Sequence, residues 1–311
     1  MTDLLDKPLA LAAPAPAPQA SAAGPVAETA PRRRGLAGLP RRRGLAGLLR
    51  RPGVVIAAAI VAFAVLSAIA PALFATYDPT ATVPADRLLP PSLAHWFGTD
   101  ELGRDLYSRV VHGSTLTIAA TALAVGIALV AGLALGILSG FIGGVVDAVI
   151  MRIVDVFLAI PGLLLALAIV TALGFGTLPV AIAVGIGIIP GFARTTRAEV
   201  LRVKTLPYVE AARTGGASWT RVLLTHVLPN SWGPVAVLAV LDFGAAILAV
   251  AALSFLGFGA APPAAEWGTL ISNGRGYLLT APWVSLLPGL FVAAVVLSLN
   301  HLAKTLEEHA R

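Results

Sequence analysis

The chain has no cysteine in 311 residues and only three lysines, Lys7, Lys204 and Lys304. The first absence excludes disulfides, thiolate metal sites and cysteine nucleophiles. The second bears on nucleotide chemistry. A P-loop needs Gly-Lys-Ser/Thr, because its lysine must reach the β- and γ-phosphates from a glycine-rich turn. None of the three lysines follows a glycine, so any ATPase that powers this protein is another chain. Enzyme chemistry is equally thin. His95, His112, His226, His301 and His309 are scattered, with no pair at metal-ligand spacing and no HExxH. The serines of "GASWT" and "HGSTL" build no GxSxG elbow. The sequence therefore offers no catalytic residue, no metal site and no cofactor site of its own.

Charge is scarce as well, at 12% of residues, against roughly 25% in soluble domains. What fills the chain instead is apolar: 57% of residues, with a mean hydropathy of +0.86. These residues gather into runs close to the ~20 needed to cross a bilayer. The pattern predicts an all-α polytopic membrane protein with six transmembrane helices, at about 54–74, 114–138, 149–173, 178–193, 232–256 and 283–302. The third should bend near Pro161-Gly162. Gly132, Gly136 and Gly140 recur every fourth residue on the second span, and Gly187 and Gly191 do so on the fourth. Small residues at that spacing let helices in lipid approach closely.

Residues 1–51 form a separate tail, Ala/Pro-rich and too poor in apolar bulk to fold, then Arg-rich. A tandem repeat, "RRRGLAGLP" then "RRRGLAGLL", contributes to eight arginines between Arg32 and Arg51. The six-span domain should occupy 52–303, followed by a short charged tail at 304–311. The net charge of +6 would suit nucleic acid in a soluble protein, but no soluble basic domain is present. In a membrane protein such arginines mark the cytoplasmic side, where anionic lipid headgroups also attract them. Arg194–Asn230 carries six Lys/Arg and two Glu, so it too belongs in the cytoplasm. Four spans separate it from the N-terminus, and an even number is what a shared side requires. Both termini are thus expected inside.

That second basic stretch contains "YVEAARTGGASWTRVLLTHVLPN". Pro207 suits a first helical turn, Gly215-Gly216 a stop, Ser218 a fresh N-cap, and Pro229 the end of a second helix. Ala211 and Ala212 keep one face of the first helix thin, between the opposite charges of Glu210 and Arg213. Lipid packing gives no reason for such a helix-turn-helix. It suits a knob that enters a socket on a soluble partner.

Other polar residues stand apart. Asp242 lies about midway through the fifth span, where an ionisable group is costly. It serves either a polar translocation path, or contact with a substrate amine, or a structural bond to a neighbouring helix. Arg152 and Asp155, three residues apart, are expected to pair at the start of the third span. Ahead of the second span, "FGTDELGRDLYSRVVHG" offers Thr99 or Asp100 as the cap of a short amphipathic helix.

The segment Glu210-Ala211-Ala212, three residues, Gly216, nine residues, His226, then Leu228-Pro229 resembles the EAA loop of ABC-importer permeases. "FGTDELGRDLYSRVVHG", "LSFLGFGAAPPAAEWGTLIS" and "APWVSLLPG" are similar to segments of the dipeptide/oligopeptide/nickel group, second permease subunit, over about Arg50 to Asn300. Three positions depart from that group's pattern: His226 where Ile is usual, Val250 where an acid is common, and the C-terminal "NHLAKTLEEHAR". The resemblance implies a multi-pass protein of the bacterial cytoplasmic (inner) membrane, forming half of a pathway for peptides or related solutes. Its partners would be a second homologous permease, two ATPase subunits or one two-domain ATPase holding ATP and Mg, and an extracytoplasmic binding protein. On this template Glu210, Ala211, Ala212, Gly216, His226 and Pro229 couple to the ATPase. Thr99, Asp100, Glu101, Gly103, Arg104 and Asp105 lie on the substrate-receiving outer loop, while Asp242 stays a candidate for the pathway lining by its position in the span alone. Two other classes stay open on the residues alone. An ion-coupled secondary transporter would show inverted repeats and paired intramembrane acids, of which one acid is clear. A membrane scaffold would use the helix-turn-helix only to recruit a soluble partner.

Overall fold

A computed structural model describes residues 51–310, apart from the side chains of residues 306 and 308–310. The Ala/Pro-rich segment, the arginine repeat and Lys7 lie outside the described residues. Among those described, the elements are α1 (Pro52–Ile69), α2 (Leu106–Ile142), α3 (Gly144–Ala159), α4 (Gly162–Leu173), α5 (Thr177–Lys204), α6 (Pro207–Thr214), α7 (Trp219–Val222), a π-helical turn (Leu223–Val227), α8 (Leu228–Phe255), α9 (Trp267–Gly274) and α10 (Trp283–Ala310). All are helical, because backbone N–H and C=O groups in lipid must be satisfied within one segment.

Five of these, with α7 and α8 counted as one, are long and apolar enough to cross a membrane. Counted as one span, the bent pair α3–α4 would make a sixth. The break between α3 and α4 turns the chain by 93°. Pro161 explains it: the residue before a proline is pushed to extended backbone, and Ile160 has ψ 129°. The predicted third span is therefore two short helices at nearly a right angle.

Other boundaries also move. α1 ends at Ile69, because Pro71 starts a 3₁₀ turn, Pro71–Leu73. α2 is 37 residues long, or about 56 Å, well beyond the predicted 114–138. α5 passes through Pro190 and continues to Lys204, so the first third of the supposed polar stretch is helix. α10 likewise runs past the sixth span, as helix to Ala310.

Helix α2 against α5 is the most extensive pairing in the bundle. A Cβ on Gly136 would sit 2.5 Å from Thr196 Cβ and 2.6 Å from the Ala193 carbonyl, and one on Gly140 would sit 2.9 Å from Val200 Cγ1. The backbones are in contact because no side chain intervenes. On α5 the contact residue is Gly185 against the Ala124 carbonyl, whereas Gly191 faces open space and Gly187 has one distant neighbour. The G-x₃-G spacing thus marks the interface on one helix and misses it on the other.

Two apolar clusters hold the bundle. One joins α2, α4, α5 and α8 through Ala124, Val170, Val184, Phe192 and Val250. The other joins α1, α8, α9 and α10 around Trp267, Ile247 and Val292. A third, smaller cluster anchors the end that carries α6.

Candidate functional site

Helix α6 begins with Pro207 at its first position and ends in a Schellman turn. The Ala217 N–H donates to the Ala212 carbonyl and the Gly216 N–H to the Arg213 carbonyl, each at 3.0 Å. Gly216 takes φ +84°, with open space where a Cβ would stand. Conformation, not crowding, demands the glycine there. Val209 turns inward and packs with Val200, Val203, Val222 and Val227, which fixes α6 to the end of α5 and the start of α7. Glu210, Ala211 and Gly216 face out, and Ala212 is half-buried. The Glu210 carboxylate makes no hydrogen bond or ion pair with any described residue, while the Arg213 guanidinium lies 5.1 Å over the Trp219 ring. Beside α6 a cavity of about 480 Å³ is lined by Glu210, Arg213, Trp219, Lys204 and Phe141 among others.

Ser218 caps α7 as expected: its hydroxyl accepts from the Arg221 N–H. Pro229 does not stop the second helix. The chain widens into the π turn, the Leu228 N–H reaches the Leu223 carbonyl five residues back, and α8 continues to Phe255. The wider register spares the proline ring its clash with the carbonyl four residues earlier. His226 sits in that turn, half-buried, with its ring edge-on to Tyr208 at 6.1 Å. α7, the π turn and the fifth span are consequently one continuous rod from Trp219 to Phe255.

At the opposite end of α2 the residues expected on an outer loop are mostly buried. Asp100 Oδ1 accepts from the N–H groups of Leu102 (2.9 Å) and Arg104 (3.0 Å), and Oδ2 from Arg104 Nε (2.7 Å). Glu101 reaches Arg104 Nη2 at 3.4 Å. Thr99 bridges Asp105 through the backbone, its hydroxyl donates to the Asp86 carbonyl, and Gly103 turns the chain at φ +74°. The predicted amphipathic helix capped by Thr99 or Asp100 is absent, because those residues form this tight turn. Asp105 is the cap instead: Oδ2 accepts from the Ser108 N–H at 2.8 Å and opens α2, while Oδ1 holds His95 Nδ1 at 2.9 Å.

The acids of α3 also pair differently from expectation. Asp155 bonds Arg194 at 2.5 Å, and Asp147 takes a two-pronged contact from Arg197 at 2.5 and 2.6 Å. Arg152 is exposed and joins neither pair. Both bridges cross from α3 to α5, which spacing along one helix does not reveal. Asp242 is half-buried on α8 and makes no hydrogen bond or ion pair with a described residue.

One buried pair escaped sequence reasoning. Glu266, fully buried, accepts from Ser254 Oγ (2.7 Å) and the Ala260 N–H (2.8 Å). Its neighbour Trp267 donates from its backbone to Thr117 Oγ1 and from Nε1 to the Val110 carbonyl. Together they staple α8, α9 and α2. A lone acid beside Trp in the Ala/Pro-rich run "AAPPAAEW" was the available signal.

Residues 132–311 match the family described as binding-protein-dependent transport system inner membrane component. The chain belongs to this family, the membrane-spanning permease subunits of ABC importers. It is 45% identical over 226 residues to the "Probable D,D-dipeptide transport system permease protein DdpC" of Escherichia coli K12, covering 73% of this chain and 76% of that one. It is 47% identical over 218 residues to the glutathione transport system permease protein GsiD of Shigella flexneri, covering 70% and 72%. The dipeptide transport permease DppC of Alkalihalophilus pseudofirmus is 39% identical over 227 residues, covering 73% and 75%. Solved structures show the same fold at low identity. A chain of the MetNI methionine ABC transporter, inward facing, has a TM-score of 0.54 at 19% identity over 65% of this chain and 96% of that one. These findings do not favour the secondary-transporter and scaffold readings.

Proposed function

We propose that this permease forms half of the translocation pathway of a peptide importer and is driven through α6 by a separate ATPase that holds ATP and Mg. The geometry of α6 carries the proposal. It is a rigid eight-residue helix, anchored by Val209 and closed by Gly216, presenting Glu210 and Ala211 to a partner. Because the π turn makes α7 and α8 one rod, a push on α6 is delivered directly to the fifth span. His226 and Pro229 set that register rather than touching the ATPase.

The rest of the assembly follows from the same reading. α6 and both termini face the cytoplasm, a second homologous permease completes the pathway, and an extracytoplasmic binding protein delivers solute to the outer loop. Thr99, Asp100, Glu101, Gly103, Arg104 and Asp105 hold that loop in shape. Asp242, without a hydrogen-bond or ion-pair partner among the described residues, lines the pathway. The substrate class is small peptides, in keeping with relatives named for dipeptides and glutathione. Mass spectrometry of what co-purifies with the tagged chain from gently solubilised native membranes tests the assembly. A second six-span permease with one or two P-loop ATPases is the expected result. A chain that purifies alone, or as a homodimer without ATPase, would overturn it.

A further inference from the structure

Three connections meet at the end of the bundle that carries the outer loop. The Gly176 N–H donates to the Phe258 carbonyl at 2.8 Å, and Phe175 stacks on Phe258 at 5.4 Å. Between them and the start of α2 lies a cavity of about 350 Å³. Arg104 and Arg109 line one side, and Phe175, Pro262, Ser272 and Asn273 are among the others.

Two guanidiniums with side chains 7% and 2% exposed share this wall. Asp100 is the one acid that lies near both, 2.7 Å from Arg104 Nε and 3.4 Å from Arg109 Nε, and Glu101 touches Arg104 alone. The remaining acid of the loop, Asp105, is held by His95 and by the Ser108 N–H. Two guanidiniums carry ten N–H donors. Among the described residues three of these donate: Arg104 Nε to Asp100, Arg104 Nη2 to Glu101, and Arg109 Nη1 to the Pro79 carbonyl. Arg109 Nε is buried and has no acceptor in hydrogen-bond geometry, Asp100 notwithstanding. Asn273 lines the cavity with its amide unbonded to any described residue, and the Ser272 hydroxyl spends its proton on the Phe255 carbonyl. The site thus has donors in surplus on one side and a free lone pair on the other.

We propose that this cavity binds the carboxylate of a small solute, with Arg109 and Arg104 as its forked donors and Asn273 as a third. Guanidinium groups match a carboxylate in plane and in spacing, and such charge-assisted hydrogen bonds are roughly twice as strong as neutral ones. Its volume lies at the small end for ligand pockets, ~300–1,000 Å³, which suits a dipeptide and not an extended oligopeptide. That the solute is a peptide rests on the function proposed above; that the site takes a carboxylate does not.

The test uses the intact transporter complex in nanodiscs, without binding protein, and saturation-transfer NMR at millimolar probe. The probes are Ala-Ala, its C-terminal amide, and propionate. Ala-Ala and propionate should both give signal, the amide none, and Asn273→Asp should raise the half-saturation concentration at least tenfold by placing a like charge beside the carboxylate. Arg109→Gln should do the same; should it fail to fold, Asn273→Asp still decides. Propionate binding without Ala-Ala binding would support the site and count against the peptide reading. Amide binding equal to acid, an Asn273→Asp variant like the parent, or no binding of either carboxylate would overturn the proposal.

Discussion

Asp100 organises the loop ahead of α2 because one carboxylate answers three donors, two backbone N–H groups and the Arg104 guanidinium, and lies 3.4 Å from the guanidinium of Arg109. All three side chains are almost wholly buried. Removing the acid leaves Arg109 without a carboxylate and Arg104 with Glu101 alone, and breaking a buried pair from one side costs about 3–5 kcal/mol. Asp100→Ala should therefore lower the thermal midpoint of the purified protein markedly. Asp78→Ala, at an exposed acid bonded only within its own turn to Thr80, should leave it unchanged. Equal midpoints for the two variants would show that the loop does not depend on Asp100. The sequence signalled that these residues matter, through the run "GTDELGRD", but placed them on a receiving surface. Burial is a tertiary property, and a run of alternating charges reads as solvated until its partners are known.

At the scale of elements, α2 and α5 are held by backbone contact along Gly136 and Gly140. A valine at Gly136 has no room, since its Cβ alone would overlap Thr196 and the Ala193 carbonyl. Overpacking of this kind costs about 1–3 kcal/mol or more. Gly136→Val should reduce the yield of folded protein in the membrane, whereas Gly191→Ala, which meets open space, should not. A normal yield for Gly136→Val would mean the two helices stand further apart. The same two motifs show what periodicity can reveal. Six apolar runs and the break at Pro161 were legible, because length and proline geometry are local. Which face of α5 meets α2 was not, since that depends on the neighbour. A proline misled once: Pro229, read as the end of a helix, is absorbed by a π turn. The α3–α5 ion pairs were hidden for the same reason, as Asp147 and Asp155 find partners on another helix.

Taken whole, the molecule has two ends with different physics. One end ties down buried charge: Asp100 with two arginines, Asp105 with His95, and Glu266 within its loop. The other end exposes a short helix whose Glu210 carboxylate bonds no described residue. The family follows from similarity along most of the chain, and the role proposed for the exposed helix rests on its geometry. Uptake measured in cells lacking the native chain and carrying either Glu210→Lys or Gly216→Val tests that role most directly. Glu210 has no partner in the described chain to lose, and Gly216 has space for a side chain but not the backbone conformation for one. The account predicts that both variants reach the membrane at parental levels and that both lose uptake. Undiminished uptake in both would contradict it, and α6 would then not be the element that couples ATP hydrolysis to transport.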